Sequence, residues 1–325
     1  MSTPGSFSFS VDPSEHDQRL DVVVASRLLD CSRSFAAILI RNHSIRVNQS
    51  AVKPGHRLKA GDVVDGDIPP PEPVENAPEN IPLDFLYEDK DLAVINKRAG
   101  MVVHPAPGNY TGTLVNALLF HCPDIGQING DIRPGIVHRL DKDTSGAMVV
   151  AKNSVTHEHL SCQFKERSIK KEYQAIVHGR MTGNSGSISL PIGRHPTQRK
   201  KMSTLSRVGR SAETVWRVET PYEGFSLLRL DLKTGRTHQI RVHCSAIHHP
   251  IVGDPLYGGS RGSAKLGSAS DKVRHLLKGV KRQMLHARRL QFCHPATRKV
   301  IAFEAPVPED MQHLMAGLAT YSNAP

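Results

Sequence analysis

The sequence predicts an α+β protein made of a small N-terminal module and a larger, sheet-centred domain. Three observations carry that expectation. The chain has 325 residues and is 38% hydrophobic, enough for one large core and one small one. At 68–82 the run IPPPEPVENAPENIP intersperses prolines with acidic residues, and neither helix nor sheet propagates through it. Beyond it lie many short apolar β runs with helical stretches between them.

Taken in order, residues 1–17 are polar and turn-rich, with Pro4, Gly5 and Pro13, and are expected to be a flexible leader. Residues 18–67 form the first module. An apolar-periodic helix runs through Val22, Val23 and Leu28, Ser32 caps a second helix over 33–41, and short strands follow at 45–47 and 62–64. Residues 68–82 are an extended linker. The domain over 83–318 carries strands at 92–96, 147–151, 173–177, 225–232 and 300–303, with a helix at 157–166. The Gly- and Ser-rich stretch 258–270 is expected to be a mobile surface loop, and 319–325 a tail.

Lys and Arg number 42 against 31 Asp and Glu, a formal net charge of +11. Such an excess favours a polyanionic partner, of which nucleic acid is the commonest. The blander reading is a charge that only keeps the protein soluble. The five cysteines, Cys31, Cys122, Cys162, Cys244 and Cys293, are widely separated and read as buried thiols of a reducing compartment. The N-terminus lacks a basic start followed by an apolar stretch, and the longest apolar runs, such as 35–40, are far too short to span a bilayer. A soluble cytoplasmic protein without membrane attachment is expected.

Residues 133–146, RPGIVHRLDKDTSG, form a polar turn feeding the apolar strand at 147–151. A rigid strand behind a charged loop is a good platform for chemistry. Asp141 and Asp143 stand one residue apart, flanked by Arg139 and Lys142, and nearby cations favour the charged form that a nucleophile or base needs. The same composition suits a merely hydrogen-bonded turn. A third reading, the paired carboxylates of a glycoside hydrolase, needs about 5 Å or more between the carboxyl groups. Spacing leaves it open, but an aromatic content of 5% is low for a protein that stacks sugars.

The segment 138–146, HRLDKDTSG, matches the HRLDxxTSG signature of the RluA-type pseudouridine synthases at every fixed position. Downstream, RSIKKEYQAIVHG at 167–179 resembles that family's tyrosine segment, LKTGRTHQIRVH at 232–243 resembles its arginine segment, and PIVGDPLY follows at 250–257. HPAPGN at 104–109, GTLVNALL at 112–119 and IGRHPT at 192–197 are most similar to the RluD branch, which modifies large-subunit ribosomal RNA. The region 18–64 resembles the ribosomal-protein-S-four-like RNA-binding module through RLD at 19–21, SRS at 32–34, VN at 47–48 and GD at 61–62. It departs from that module at His43-Ser44 and Gln49, where glycines are usual; Asn42 and Asn48 tolerate left-handed torsions and are expected to preserve the turns.

The resemblance implies a catalytic domain built on a mixed, largely antiparallel β-sheet with flanking helices and a central cleft. It implies an isomerase that cleaves the carbon-nitrogen glycosidic bond of uridine in RNA, rotates the freed uracil and rejoins it through carbon 5. The rearrangement is redox-neutral and calls for no cofactor. Asp141 is implied as the essential carboxylate, acting by attack on the sugar or base, or by stabilising an electron-poor sugar and shuttling a proton; the sequence does not choose. Tyr173, which position alone would make a core residue, is implied to stack on the flipped uracil. Arg241, rather than Arg236, is implied as the salt-bridge partner of Asp141, and Arg236 as a loop or phosphate contact. Arg139 is implied to fill the gap left by the extruded base, and Leu285 to be a further substrate contact. His138 is expected to order the loop by hydrogen bonding, and Asp143 to structure it.

Phosphate contacts are expected from Arg33, Arg41 and Arg46 in the small module, and from Arg194, Arg199, Lys200 and Lys201 in the basic run 194–210. A second basic run, 272–289, is equally well a solvated helix face. The 18 histidines invite a metal reading, yet His238, His243, His248 and His249 lack supporting ligands at suitable spacing, and no metal is expected. The expected partner is ribosomal RNA of the large subunit, in pre-ribosomal particles or free, met by a monomeric protein. A non-catalytic RNA-binding assembly factor on the same fold is the competing reading.

Overall fold

The computed structural model describes residues 5–28, 31–68, 77–105, 108–128, 134–198, 200–206, 208–258 and 271–322. The chain divides into two units, Met1–Val74 and Glu75–Pro325.

In the first unit, helices α1 (Leu20–Arg27) and α2 (Arg33–Arg41) accompany an antiparallel sheet in the order β1 (Gly5–Ser10), β3 (Val63–Ile68), β2 (Ile45–Val47). Ser32 starts α2 by accepting the Phe35 N–H at 3.2 Å, which satisfies one of the helix's unpaired amides. Ala36, Leu39 and Ile40 recur at helical spacing and pack with Leu20, Val24, Ile45 and Val64. The flexible leader expected at 1–17 is corrected: β1 pairs with β3 from Gly5↔Ile68 to Ser10↔Val63. Its FSFS alternation places Phe7 and Phe9 against the core, a two-residue period too short to register as sustained periodicity. The left-handed residue of the first turn is His43 (φ 60), not Asn42, and Asn48 and Gln49 follow at φ 49 and 62.

The second unit is organised on nine strands. Eight run in the order β4 (Phe85–Glu88), β5 (Leu92–Lys97), β6 (Ser145–Ala151), β13 (Leu285–Cys293), β7 (Lys170–His178), β12 (Phe225–Leu232), β11 (Glu213–Tyr222), β8 (Ser185–Ser189), and β14 (Val300–Glu304) joins β13. Only the β6–β13 pair is parallel. The sheet is buried on both faces where it matters: along β6, Met148 and Val150 enter one core while Ala147, Val149 and Ala151 enter another. That alternation is the period of a strand. Gly146, the second residue of β6, has φ 116, and a Cβ there would lie 2.2 Å from the Ala287 carbonyl oxygen. Only glycine lets β6 approach β13 so closely.

Helices α3 (Leu114–His121), α4 (Ser154–Glu166), α5 (Gln239–Ala246), α6 (Asp271–Lys278) and α7 (Glu309–Ser322) complete this unit among the described residues. The basic run 272–289 therefore divides between α6 and the central strand β13. Residues 319–322, expected in a tail, continue α7, with Leu318 fully buried. Residues 77–82, expected in a free linker, are fastened to α3: Asn116 donates to the Ala77 carbonyl at 2.9 Å and accepts the Glu79 N–H at 2.9 Å on its own carbonyl. Residues 69–76 of that linker, and 259–270 of the expected loop, lie outside the described residues. All five cysteines are free thiols, but against the expectation of burial Cys162 is exposed and Cys293 half-buried. No described helix is long and apolar enough to cross a membrane.

Candidate active site

The loop preceding β6 is a tight turn held by three sets of hydrogen bonds. The Thr144 N–H closes it on the Asp141 carbonyl at 3.1 Å. Lys97, 1% exposed, donates to the carbonyls of Arg98, Met101 and Lys142 at 2.9, 2.9 and 3.0 Å. Burial pushes its ammonium down to about 7, against the pull of Asp143 and Asp141. Arg282 in turn donates to the Asp143 carbonyl at 3.1 Å, while its guanidinium is itself fixed by Asp310. Both anchors act on backbone carbonyls of neighbouring residues, so the Asp141 side chain remains available.

That side chain meets Arg241, the third residue of α5. Arg241 Nη1 donates to Asp141 Oδ2 at 2.9 Å, and its Nε and Nη2 grip Asp254 Oδ2 and Oδ1 at 2.7 and 2.9 Å. Asp254 is completely buried on its side chain, and its Oδ1 also accepts the N–H groups of Leu256 and Tyr257. A buried carboxylate so fully satisfied is a rigid counter-anchor for the arginine. Burial opposes the Arg241 cation, but Asp254 and Asp141 outweigh it and hold it above its ordinary value. Gly253, at φ 76, lets the chain just before Asp254 lie against the Arg282 backbone, since a Cβ there would sit 2.1 Å from the Arg282 carbonyl oxygen.

Asp141 and Arg241 line a cleft of about 490 Å³ together with Tyr173, Leu285, His138, Arg139 and Arg236. Tyr173, on β7, is buried, and its hydroxyl has no hydrogen-bond partner among the described residues; burial, and then the charge of Asp141, push the phenol above its ordinary value. Leu285 opens β13 beside it and is also buried. Arg139 is exposed. Arg236 donates from Nε to the Ser211 carbonyl at 3.2 Å. His138 accepts the Val149 N–H on Nε2 at 3.1 Å and stacks on Phe164 at 4.6 Å. Burial, and then Lys171, push its imidazole down to about 3.

The expected phosphate contacts lie elsewhere. Arg194 and Met202 belong to a two-stranded ribbon, β9 (Gly193–Arg194) with β10 (Met202–Ser203), whose tip carries exposed Lys200 and half-buried Lys201; Arg199 lies outside the described residues. In the first unit, Arg41 borders a surface hollow with Arg19, Lys53 and His56, Arg46 is exposed on β2, and Arg33 leans on the buried Asp21 at 3.1 Å. Sequence reasoning missed Asp254 and Tyr257, although the PIVGDPLY segment that holds them stood out, and it weighed His238 only as a metal ligand, which it rejected. For Lys97 there was no signal. One group of possible metal ligands occurs among the described residues, Asp89, Asp91 and His294, but Asp89 already accepts from the Asp91 and Leu92 amides, Tyr87 and His294, as a hydrogen-bonded turn does.

Residues 91–246, which contain the loop, Tyr173 and Arg241, match the family described as RNA pseudouridylate synthase. A Bacillus subtilis (strain 168) protein named uncharacterized RNA pseudouridine synthase YlyB is 43% identical over 304 residues, covering 94% of this chain and 95% of its own. The chain belongs to the RNA pseudouridylate synthase family. The synthase is an isomerase acting on uridine in RNA, and its residues 18–64 match the S4 domain. A Zymomonas mobilis protein named ribosomal large subunit pseudouridine synthase D is 44% identical over 303 residues, with 91% of this synthase and 92% of that protein covered. Among solved structures, human RNA pseudouridylate synthase domain containing 4 superposes with a TM-score of 0.56 at 26% identity, over 73% of this chain and 93% of that one. The mixed, largely antiparallel sheet expected from the sequence is the sheet of this synthase.

Proposed function

We propose that this synthase isomerises uridines of large-subunit ribosomal RNA, with Asp141 as its catalytic carboxylate. The observation that carries the reading is the pair Asp141–Arg241 at 2.9 Å, set in the wall of a cleft that Tyr173 also lines, its hydroxyl without a partner among the described residues. Arg241 fixes one oxygen of Asp141 and balances its charge, which suits a carboxylate that attacks or moves a proton. Tyr173 and Leu285 offer a flat and an apolar surface of the kind that holds an unstacked base, and Arg139, exposed in the lining of the same cleft, is the side chain we assign to replace that base in the RNA. The ribosomal substrate rests on relatives such as the Zymomonas mobilis protein, named for the large subunit. Phosphate contacts fall to Arg33, Arg41 and Arg46 of the S4 domain, to Arg194, Lys200 and Lys201 of the ribbon, and to Arg199, which lies outside the described residues. The five unpaired thiols suit a reducing cytoplasm, where the synthase would act as a monomer on ribosomal RNA, free or in pre-ribosomal particles.

Two measurements test this. Asp141→Asn and Asp141→Ala should abolish pseudouridine formation while RNA affinity stays within about threefold, roughly 0.65 kcal/mol; an Asp141→Ala protein with full activity would remove the assignment. Mapping pseudouridines in cells lacking the protein should reveal sites lost from large-subunit RNA. Loss confined to another RNA would overturn the substrate.

A further inference from the structure

The carboxylate of Asp141 has one oxygen held and one free. Arg241 bonds Oδ2 at 2.9 Å, whereas Oδ1 accepts no hydrogen bond among the described residues and faces His238 Nε2 at 3.8 Å. His238 immediately precedes α5 in the left-handed conformation, φ 55. Its other nitrogen, Nδ1, is 2.8 Å from the hydroxyl of Tyr257, and that hydroxyl accepts the Met202 N–H at 2.8 Å. The hydroxyl proton of Tyr257 has no other acceptor among the described residues, so hydrogen-bond satisfaction sends it to Nδ1. A neutral imidazole that accepts at Nδ1 carries its own proton on Nε2, the atom turned toward Asp141. Burial favours the neutral ring; Asp141 and Asp254 pull toward the charged form, and Arg241 and Arg139 push away from it.

We propose that His238 is a positioning residue for Asp141, its tautomer set by Tyr257, and that its Nε2 proton is donated to Oδ1 when the nucleotide fills the cleft. The proposal rests on the reading of Asp141 as the catalytic carboxylate. A single hydrogen bond pins one oxygen and leaves the carboxylate plane free to turn. A second donor, on the other oxygen, fixes that plane and with it the lone pair presented to the nucleotide. Hydrogen bonds of this kind are commonly long in an empty site and tighten in the substrate complex. Tyr257 serves both donors, since the Arg241 guanidinium lies over its ring at 5.1 Å.

The test is single-turnover pseudouridine formation at saturating enzyme, with RNA affinity and thermal melting measured alongside. His238→Ala should lower the rate about 10- to 100-fold, the effect of one hydrogen bond to a charged group, with affinity and melting close to those of the unaltered protein. His238→Gln, which keeps a terminal N–H donor, should recover much of the loss, and added imidazole should accelerate His238→Gly. Tyr257→Phe should cost less than His238→Ala, because the ring remains and only its tautomer is released. A wild-type rate in His238→Ala, a loss residing wholly in affinity, or no recovery by glutamine and imidazole would each overturn the proposal. Asp141→Asn separates the two levels: if it still turns over, the reading of the site fails, and if it is inactive while His238→Ala is unimpaired, only the role of His238 fails.

Discussion

Arg241 is buried between two carboxylates, and the two are not equivalent. Asp254 is sealed off and holds the guanidinium with both oxygens, while Asp141 lends it one oxygen and keeps the other toward the cleft. Removing Asp254 should therefore act on stability as well as rate: Asp254→Ala leaves the arginine half-paired in a buried position and should cost about 3 kcal/mol or more, read as a lowered urea midpoint. An unfolding free energy within about 0.5 kcal/mol of the unaltered protein, the scatter of neutral surface changes, would contradict the counter-anchor role. Arg241→Lys should lower turnover despite keeping the charge, since an ammonium cannot span both partners. His138 supplies a pH dependence. In the unfolded chain its imidazole takes up a proton near its ordinary 6.5, whereas in the cleft burial and Lys171 defer this to about 3. Between those values the unfolded state binds the extra proton, so stability should fall as pH drops through that window. His138→Gln should flatten this part of the curve of melting temperature against pH, and an unchanged slope would contradict it.

At the scale of elements, the site depends on β6 lying close to β13, because Asp141 precedes one strand and Leu285 opens the other. Gly146→Ala would drive a Cβ into the Ala287 carbonyl and should destabilise the domain by about 3 kcal/mol, with loss of activity at temperatures where the unaltered protein is folded. Recovery of full stability and activity in that variant would show the close approach to be dispensable. Helix α2 offers a milder case: Ser32→Ala should cost the S4 domain about 1 kcal/mol and leave single-turnover chemistry unchanged. Elements with an apolar signature were legible from sequence, as with α2 and β12. Strand β13 was not, although it lies at the centre of the sheet. Its Arg288 and Arg289 pair with Glu219 and Glu304 of other strands, so a run that looks like a solvated basic face is neutralised by partners far away in sequence. Strand β1 escaped for the opposite reason: its two phenylalanines find a core only through pairing with β3.

For the whole molecule, the formal charge of +11 makes the RNA complex depend on salt. Affinity should weaken steeply as salt rises, and removing residues 1–74, with Arg33, Arg41 and Arg46, should make the logarithmic slope shallower; an identical slope would place the phosphate contacts elsewhere. The sequence by itself determined the class of fold, the family and the loop that holds Asp141, because these are written in contiguous residues: alternating apolar runs, a capped helix, a nine-residue signature. It also pointed to Arg241, through a second contiguous motif. Only the tertiary structure decided that Asp254 anchors that arginine, and that Lys97 and Arg282 hold the backbone carbonyls of Lys142 and Asp143 in the loop. Those relations join residues 13 to 139 positions apart. A hydrogen bond is made by atoms within about 3 Å, and no local pattern of residue types encodes which distant side chains the folding of the sheet will bring to that distance.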